Sequence, residues 1–268
     1  MGLFTRHRRA KLRAQPLADE AWATIDKNVP YARTLDAGTR AELAGLVQVF
    51  LAEKHFEGCG GLELTPEIQL TIAAQACVLL LHRESDVYPT IDTVLVYPHA
   101  YRTPPAPQLV FARSPSVVGQ EARSGEMSWK QGIVVLAWDH VRTETHVVGD
   151  GQNLVMHEFA HALDAEDGAM DGAPPLDTRE RYQRWALVLG DELDAMSRRL
   201  EDGLETDIRP YGATNAREFF AVVTEKFFED ARELKLAHPR LYAELKEFYK
   251  QDPASVAADA AQPGPRAD

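Results

Sequence analysis

Over the first third of the chain, apolar residues recur at the three- and four-residue spacing of helices that bury one face. Trp22 and Ile25 fall on one side of a short helix over 19–29, which Pro30 ends because it lacks the N–H that the next turn requires. Leu43, Leu46, Val47, Phe50 and Leu51 mark a stronger helix over 39–55. His55 stands at the end of that helix, where an imidazole complements the C-terminal dipole. Gly58-Cys59-Gly60-Gly61 reads as a loop. Thr65-Pro66-Glu67 has the form of a helix start, a capping hydroxyl followed by proline at the first helical position. The Ala- and Leu-rich run 68–81 continues it as a buried helix closed by His82. These helices form a scaffold for the remainder of the chain.

The pattern then shortens. Residues 92–97 are β-branched and bounded by Pro98, which predicts a strand, and 108–112 and 115–118 are further short strand candidates. Successive apolar residues from Ile133 to Ala137 predict a strand over 133–138 that is at least half buried. At a sheet edge such a strand pairs with an extended peptide, and we expect 133–138 at that edge. Helical spacing returns over 178–201, with Tyr182, Trp185, Leu189 and Leu193 on one face. It returns again over 215–228, where Phe219, Phe220, Val222, Val223, Phe227 and Phe228 make a strongly buried helix. Residues 167–175, rich in Gly, Asp and Pro, read as a surface loop.

Between these lies 151–164, a mostly apolar helix with Asn153 as N-cap and Gly168 as its stop. Four polar side chains interrupt it: His157, Glu158, His161 and Asp164. Residues four apart share a helix face, so His157 and His161 can present two imidazole nitrogens to one metal ion. Glu158 lies about 100° round the helix from His157, within reach of a water on that metal. This His-Glu-x-x-His pattern supplies two ligands and a water-activating carboxylate, the core of a zinc peptidase site. A buried helix does not carry such groups without a partner that compensates them. Asp164, one turn beyond His161, is a candidate support for the metal-binding histidines.

Composition narrows the setting. The 268 residues are 45% hydrophobic and 26% charged, as in ordinary globular proteins. A formal charge of −12 argues against nucleic acid as a partner. No stretch approaches the ~20 apolar residues that span a bilayer, and the basic N-terminus lacks the apolar run of a signal peptide. With 2 cysteines there is no disulfide framework, which points to the cytoplasm. Residues 1–15, with Arg6, Arg8, Arg9, Lys11 and Arg13, read as a flexible basic arm, and 254–268 as a disordered tail. The expected domain spans 16–253, with a helical scaffold over 16–90 and a catalytic half over 91–253.

A catalytic zinc takes three protein ligands and a water, so one more ligand is required. Glu218 and Glu225 interrupt the apolar helix 215–228 and lie seven apart, nearly in line on one face. One can ligate the metal while the other orients a histidine. Their chemistry does not rank them.

Further motifs carry a resemblance. They are Ser128-Trp129-x-x-Gly132-x-Val134-x-Leu136-x-Trp138, Gly151-x-Asn153-Leu154, His157-Glu158-x-Ala160-His161-x-Leu163-Asp164 and Tyr211-x-Ala213. Glu218-x-Phe220-Ala221-Val222, Glu225-x-Phe227-Phe228 and Phe248-Tyr249-x-Gln251-Asp252-Pro253 complete the set. With these motifs the chain resembles the Mlc titration factor A family of bacterial zinc peptidases, whose catalytic part is similar to that of anthrax lethal factor. The resemblance implies an α+β, zincin-like fold, mostly helical with a small mixed sheet whose edge strand precedes the metal-binding helix. It implies one Zn²⁺ held in gluzincin fashion by His157, His161 and Glu218, with Glu158 as general base and Tyr211 as oxyanion partner. Aminopeptidase and endopeptidase action both stay open. In thermolysin-like peptidases an acidic residue four places after the glutamate ligand supports a histidine; here that place is Val222. Asp164 or Glu225 is left to take that part. The resemblance also implies a rival to catalysis on a peptide or protein substrate: sequestration of a transcriptional repressor of the Mlc type.

Overall fold

The computed structural model describes residues 3–84, 86–100, 125–128, 132–144 and 151–255. In chain order the elements are α1 (Leu3–Arg13), α2 (Asp19–Asn28), α3 (Ala37–Glu53), β1 (His55–Gly58), α4 (Pro66–Val78), β2 (Thr93–Tyr97), β3 (Gly125–Ser128) and β4 (Ile133–Ala137). They continue with α5 (Trp138–Glu144), α6 (Leu154–Asp164), α7 (Arg179–Glu201), α8 (Ala216–Glu229), α9 (Ala231–Ala237) and α10 (Pro239–Tyr249). The protein is mostly helical with one small mixed sheet, an α+β architecture. None of the described helices is long and apolar enough to cross a membrane. The strand candidates 108–112 and 115–118, Trp129 and residues 256–268 lie outside the described residues.

Side-chain caps set the helix starts: α4 begins behind Thr65 as the sequence predicts, whereas α3 begins at Ala37, before the expected 39. The Asp36 carboxylate accepts from the N–H of Gly38 and Thr39 at the head of α3, and the Thr65 hydroxyl accepts from Ile68 N at the head of α4. The end of α3 differs from expectation. His55 does not close the helix; it opens β1, its N–H donating to Asp92 O at 2.9 Å. The turn is made by Lys54, whose ammonium donates to the carbonyls of Tyr88 and Ile91, both at 2.8 Å.

Residues 1–15 are also not the free arm expected from their charge. Leu3–Arg13 is the helix α1, laid against α3. The Arg9 guanidinium grips Glu53 through two hydrogen bonds, 2.8 and 2.6 Å, and reaches Asp86 at 2.7 Å. Bidentate pairing of this kind fixes orientation as well as charge. Gly45 permits the approach, because a Cβ there would stand 3.2 Å from the Arg13 backbone.

Among the described residues the sheet has 4 strands in the order β1-β2-β4-β3, parallel from β1 to β4 and antiparallel between β4 and β3. This corrects the placement of 133–138. β4 lies between β2 and β3 and is not an edge, and Trp138 already belongs to α5. The edge beside it is β3. Val134, Leu136 and Ala137 are fully buried while Ile133 and Val135 are partly exposed, but burial of a face does not decide which strands lie alongside, so the apolar run carries no information about the edge.

One hydrophobic cluster runs from Ile25 to Ala254. Phe159 of α6 packs on Tyr88 and Phe50, with ring centroids 4.7 and 5.6 Å apart, which fastens α6 to α3. Trp185, Phe220 and Phe248 form a second group at 5.4–5.9 Å joining α7, α8 and α10. Aromatic groups of this size dominate core energetics, and here they flank α6 and α8. Ala254, expected in the tail, is instead buried and its N–H donates to the Tyr242 hydroxyl at 3.0 Å.

Candidate metal centre

Side-chain oxygen atoms take up three N–H groups at the start of α6. Asn153 Oδ1 accepts from Met156 N at 3.0 Å, Glu144 from Leu154 N at 2.7 Å, and Glu225 from Asn153 N at 2.7 Å. Carboxylates from α5 and α8 thus seize the free N–H groups of the helix start, and α6 is held in register against α8.

That register brings the two histidines of α6 onto α8. Their rings stand perpendicular with centroids 4.8 Å apart. His157 Nε2 and His161 Nε2 each lie 3.2 Å from Glu218 Oε2. One ligand atom from each of the three residues falls within 4.8 Å of the others, and all three side chains are buried. Asn215 caps α8, its side chain accepting from Glu218 N at 3.0 Å, which sets Glu218 in the first turn.

Glu225 lies two turns further along α8 and takes the other side of His157. Its Oε1 is 2.7 Å from Nδ1. In a neutral His157 the ring proton then belongs on Nδ1, and Nε2 turns a lone pair toward the Glu218 carboxylate. A lone pair facing a carboxylate is repulsive unless a cation sits between them, so this set of two imidazoles and one carboxylate fits a metal ion. Without a metal, a proton fills the gap. Burial disfavours charge on His157, but the carboxylates of Glu225, Glu218 and Glu158 outweigh it and push its pKa up to about 10. At His161 burial prevails and the pKa falls. Burial alone would raise Glu218; hydrogen bonds from both histidines hold it far below the usual carboxylate range.

Glu158 is 4% exposed, and its charge is felt by both His157 and Tyr211. Tyr211 sits in a 3₁₀ turn, Pro210–Thr214, that leads into α8. Its ring centroid lies 5.9 Å from that of His157, and it is 47% exposed. Burial, then the charges of Glu218 and Glu158, push its phenol up to about 12, so it keeps its proton at neutral pH. On the open side, Arg217 donates to Glu218 Oε1 at 2.7 Å.

The place of Val222 is now explained. It is buried beneath the Tyr211 turn, its Cβ 3.4 Å from where a Cβ on Gly212 would stand. The carboxylate behind His157 comes instead from Glu225. Asp164 does not reach that position: both its oxygens accept from Gly172 N, at 3.1 and 3.0 Å. Burial raises the Asp164 carboxyl to about 6 despite that bond. Among the described residues, His161 Nδ1 has no hydrogen-bond partner. Arg209 was not singled out in the sequence, yet its guanidinium contacts Glu225. An arginine in a loop carries no periodic signal that would have marked it.

Asp164 belongs to a latch. Gly172 also accepts from Trp185 Nε1 at 2.9 Å, and its φ is +84°. A Cβ there would lie 2.4 Å from Ala216 O, at the head of α8. Gly172→Ala is therefore expected to cost on the order of 3 kcal/mol, read by urea unfolding. Unchanged stability would mean that this loop does not brace α8.

Sequence comparison agrees with this geometry. Residues 3–250 match the family described as Glucose-regulated metallo-peptidase M90. An uncharacterized protein of Synechocystis sp. is 41% identical over 248 residues, covering 92% of this chain and 89% of that protein. Mlc titration factor A of Yersinia pestis is 30% identical over 231 residues, covering 84% of this chain and 83% of the relative, and that of Yersinia pseudotuberculosis matches equally. The family implies a metal, and the His157, His161 and Glu218 cluster is where this chain can hold one. The chain therefore belongs to the glucose-regulated metallopeptidase M90 family.

Proposed function

We propose that the protein is a zinc-dependent peptidase of the gluzincin type, with one Zn²⁺ held by His157, His161 and Glu218. The observation that carries this reading is the approach of both histidine Nε2 atoms to one Glu218 oxygen at 3.2 Å, with Glu225 behind His157 at 2.7 Å. When bound, zinc supplies Lewis acidity, which makes water acidic enough to attack near neutral pH and polarises the scissile carbonyl. Glu158 accepts the proton of the attacking water and passes it to the leaving amine. The Tyr211 phenol donates a hydrogen bond to the carbonyl oxygen as it gains charge. Glu225 holds the His157 ring in its tautomer and direction. Among the described residues β3 is the sheet edge that lies against α6, so an extended peptide adding to that edge would pass close to the metal-binding helix.

Chelation followed by reloading tests the reading. Peptidase activity is expected to vanish when metal is stripped and to return at about one equivalent of zinc, the stoichiometry of a catalytic site. Full activity in a metal-free preparation would overturn it.

The relatives named Mlc titration factor A support a second reading, in which this chain binds a repressor of that type. Repressor binding that survives loss of catalysis would establish it beside or in place of hydrolysis.

A further inference from the structure

Glu225 is 1% exposed, and its carboxylate is shared among three donors. Oε2 accepts from Asn153 N at 2.7 Å; Oε1 faces His157 Nδ1 at 2.7 Å and also accepts from Arg209 Nη2. The Arg209 guanidinium continues through Nη1 to Gln152 Oε1 at 3.3 Å. Among the described residues, Arg209 is the one lysine or arginine paired with Glu225; Arg217 pairs with Glu218, and Lys226 turns to Asp230 and Glu233. A buried carboxylate whose cationic partner is removed is left at a large desolvation cost. Arg209 also begins the turn that carries Tyr211, its carbonyl accepting from Gly212 N at 2.9 Å. A single residue thus touches the carboxylate behind one metal-facing histidine and the backbone that presents the phenol.

We propose that Arg209 is a positioning residue that couples the Tyr211 turn to the Glu225–His157 pair, so that metal affinity and turnover both depend on a side chain that touches neither metal nor substrate. The inference rests on the zinc reading above. Its planar guanidinium suits the task, since its two terminal nitrogens reach Glu225 and Gln152 from one fixed plane, a geometry that a lysine ammonium does not hold.

The test compares wild type, Arg209→Met and Arg209→Lys in zinc affinity, read by competition with a chromophoric chelator, alongside kcat, KM and thermal unfolding of the metal-free forms. Arg209→Met is expected to bind zinc about 3–10-fold more weakly, below the 10–100-fold effect of losing a direct partner of a ligand, because Arg209 acts through Glu225. Its kcat should fall further than its KM changes, because Tyr211 acts on developing charge rather than on ground-state binding. Arg209→Lys should fold like wild type and recover part of the zinc affinity, which keeps the inference testable if the methionine variant fails to fold. Zinc affinity and kcat within about twofold of wild type in the folded lysine and methionine variants would overturn it. A wild type that takes up no zinc would instead overturn the metal reading on which it stands.

Discussion

Glu158→Gln is expected to lower kcat for peptide hydrolysis by about 10²–10⁴-fold while zinc stays bound. Glutamine keeps the shape of the side chain and its burial at 4% exposure but cannot accept a proton at neutral pH. Glu158 is not among the three converging ligand atoms, so its neutralisation leaves the metal-binding set intact. The loss should appear in kcat and in kcat/KM alike, since proton transfer occurs only on the way to the transition state. The same variant separates the two functional readings: a repressor-type partner should bind it as it binds wild type. Activity within tenfold of wild type, with zinc bound, would remove Glu158 from the role of base.

Glu218→Gln is expected to reduce zinc affinity by more than about 100-fold, because even the partners behind metal ligands are worth 10–100-fold. The matched variant is Glu225→Gln. Glu225 meets His157 at Nδ1, away from the other two ligand atoms, so its loss should fall in that lower range. Equilibrium dialysis against zinc reads both. The ranking decides the matter: a Glu225→Gln loss that exceeds that of Glu218→Gln would reverse the assignment of ligand and orienting residue. Zinc uptake by Glu218→Gln equal to wild type would exclude that carboxylate from the metal.

The helix that carries the histidines was readable without any structure. Its apolar spacing, its Asn153 cap and the four-residue step from His157 to His161 are local properties of one backbone geometry. The buried helix 215–228 and the helix start at 65–66 follow from the same local rules. The sheet was less legible. The apolar run in β4 reports burial, but burial does not say which strand lies alongside, and the expected edge proved to be an interior strand. The N-terminal residues show the same gap in another form. Five basic side chains within 13 residues suggest a solvated arm, and only the carboxylates of Glu53 on α3 and of Asp86 turn that charge into an anchor for a helix.

By itself, then, the sequence determined the helices, the paired histidines with their glutamate, and two carboxylates on one buried face as candidates for the third ligand. The resemblance ranked Glu218 as the ligand; only the tertiary structure decided the contacts: Glu218 toward the Nε2 atoms, Glu225 rather than Asp164 toward Nδ1, with Asp164 turned away to Gly172 and Arg209 drawn in. The reason is physical. Spacing along a helix fixes which side chains share a face within a few residues. Which atom of a carboxylate meets which nitrogen across 57 to 68 residues of chain depends on the packing of α6 against α8.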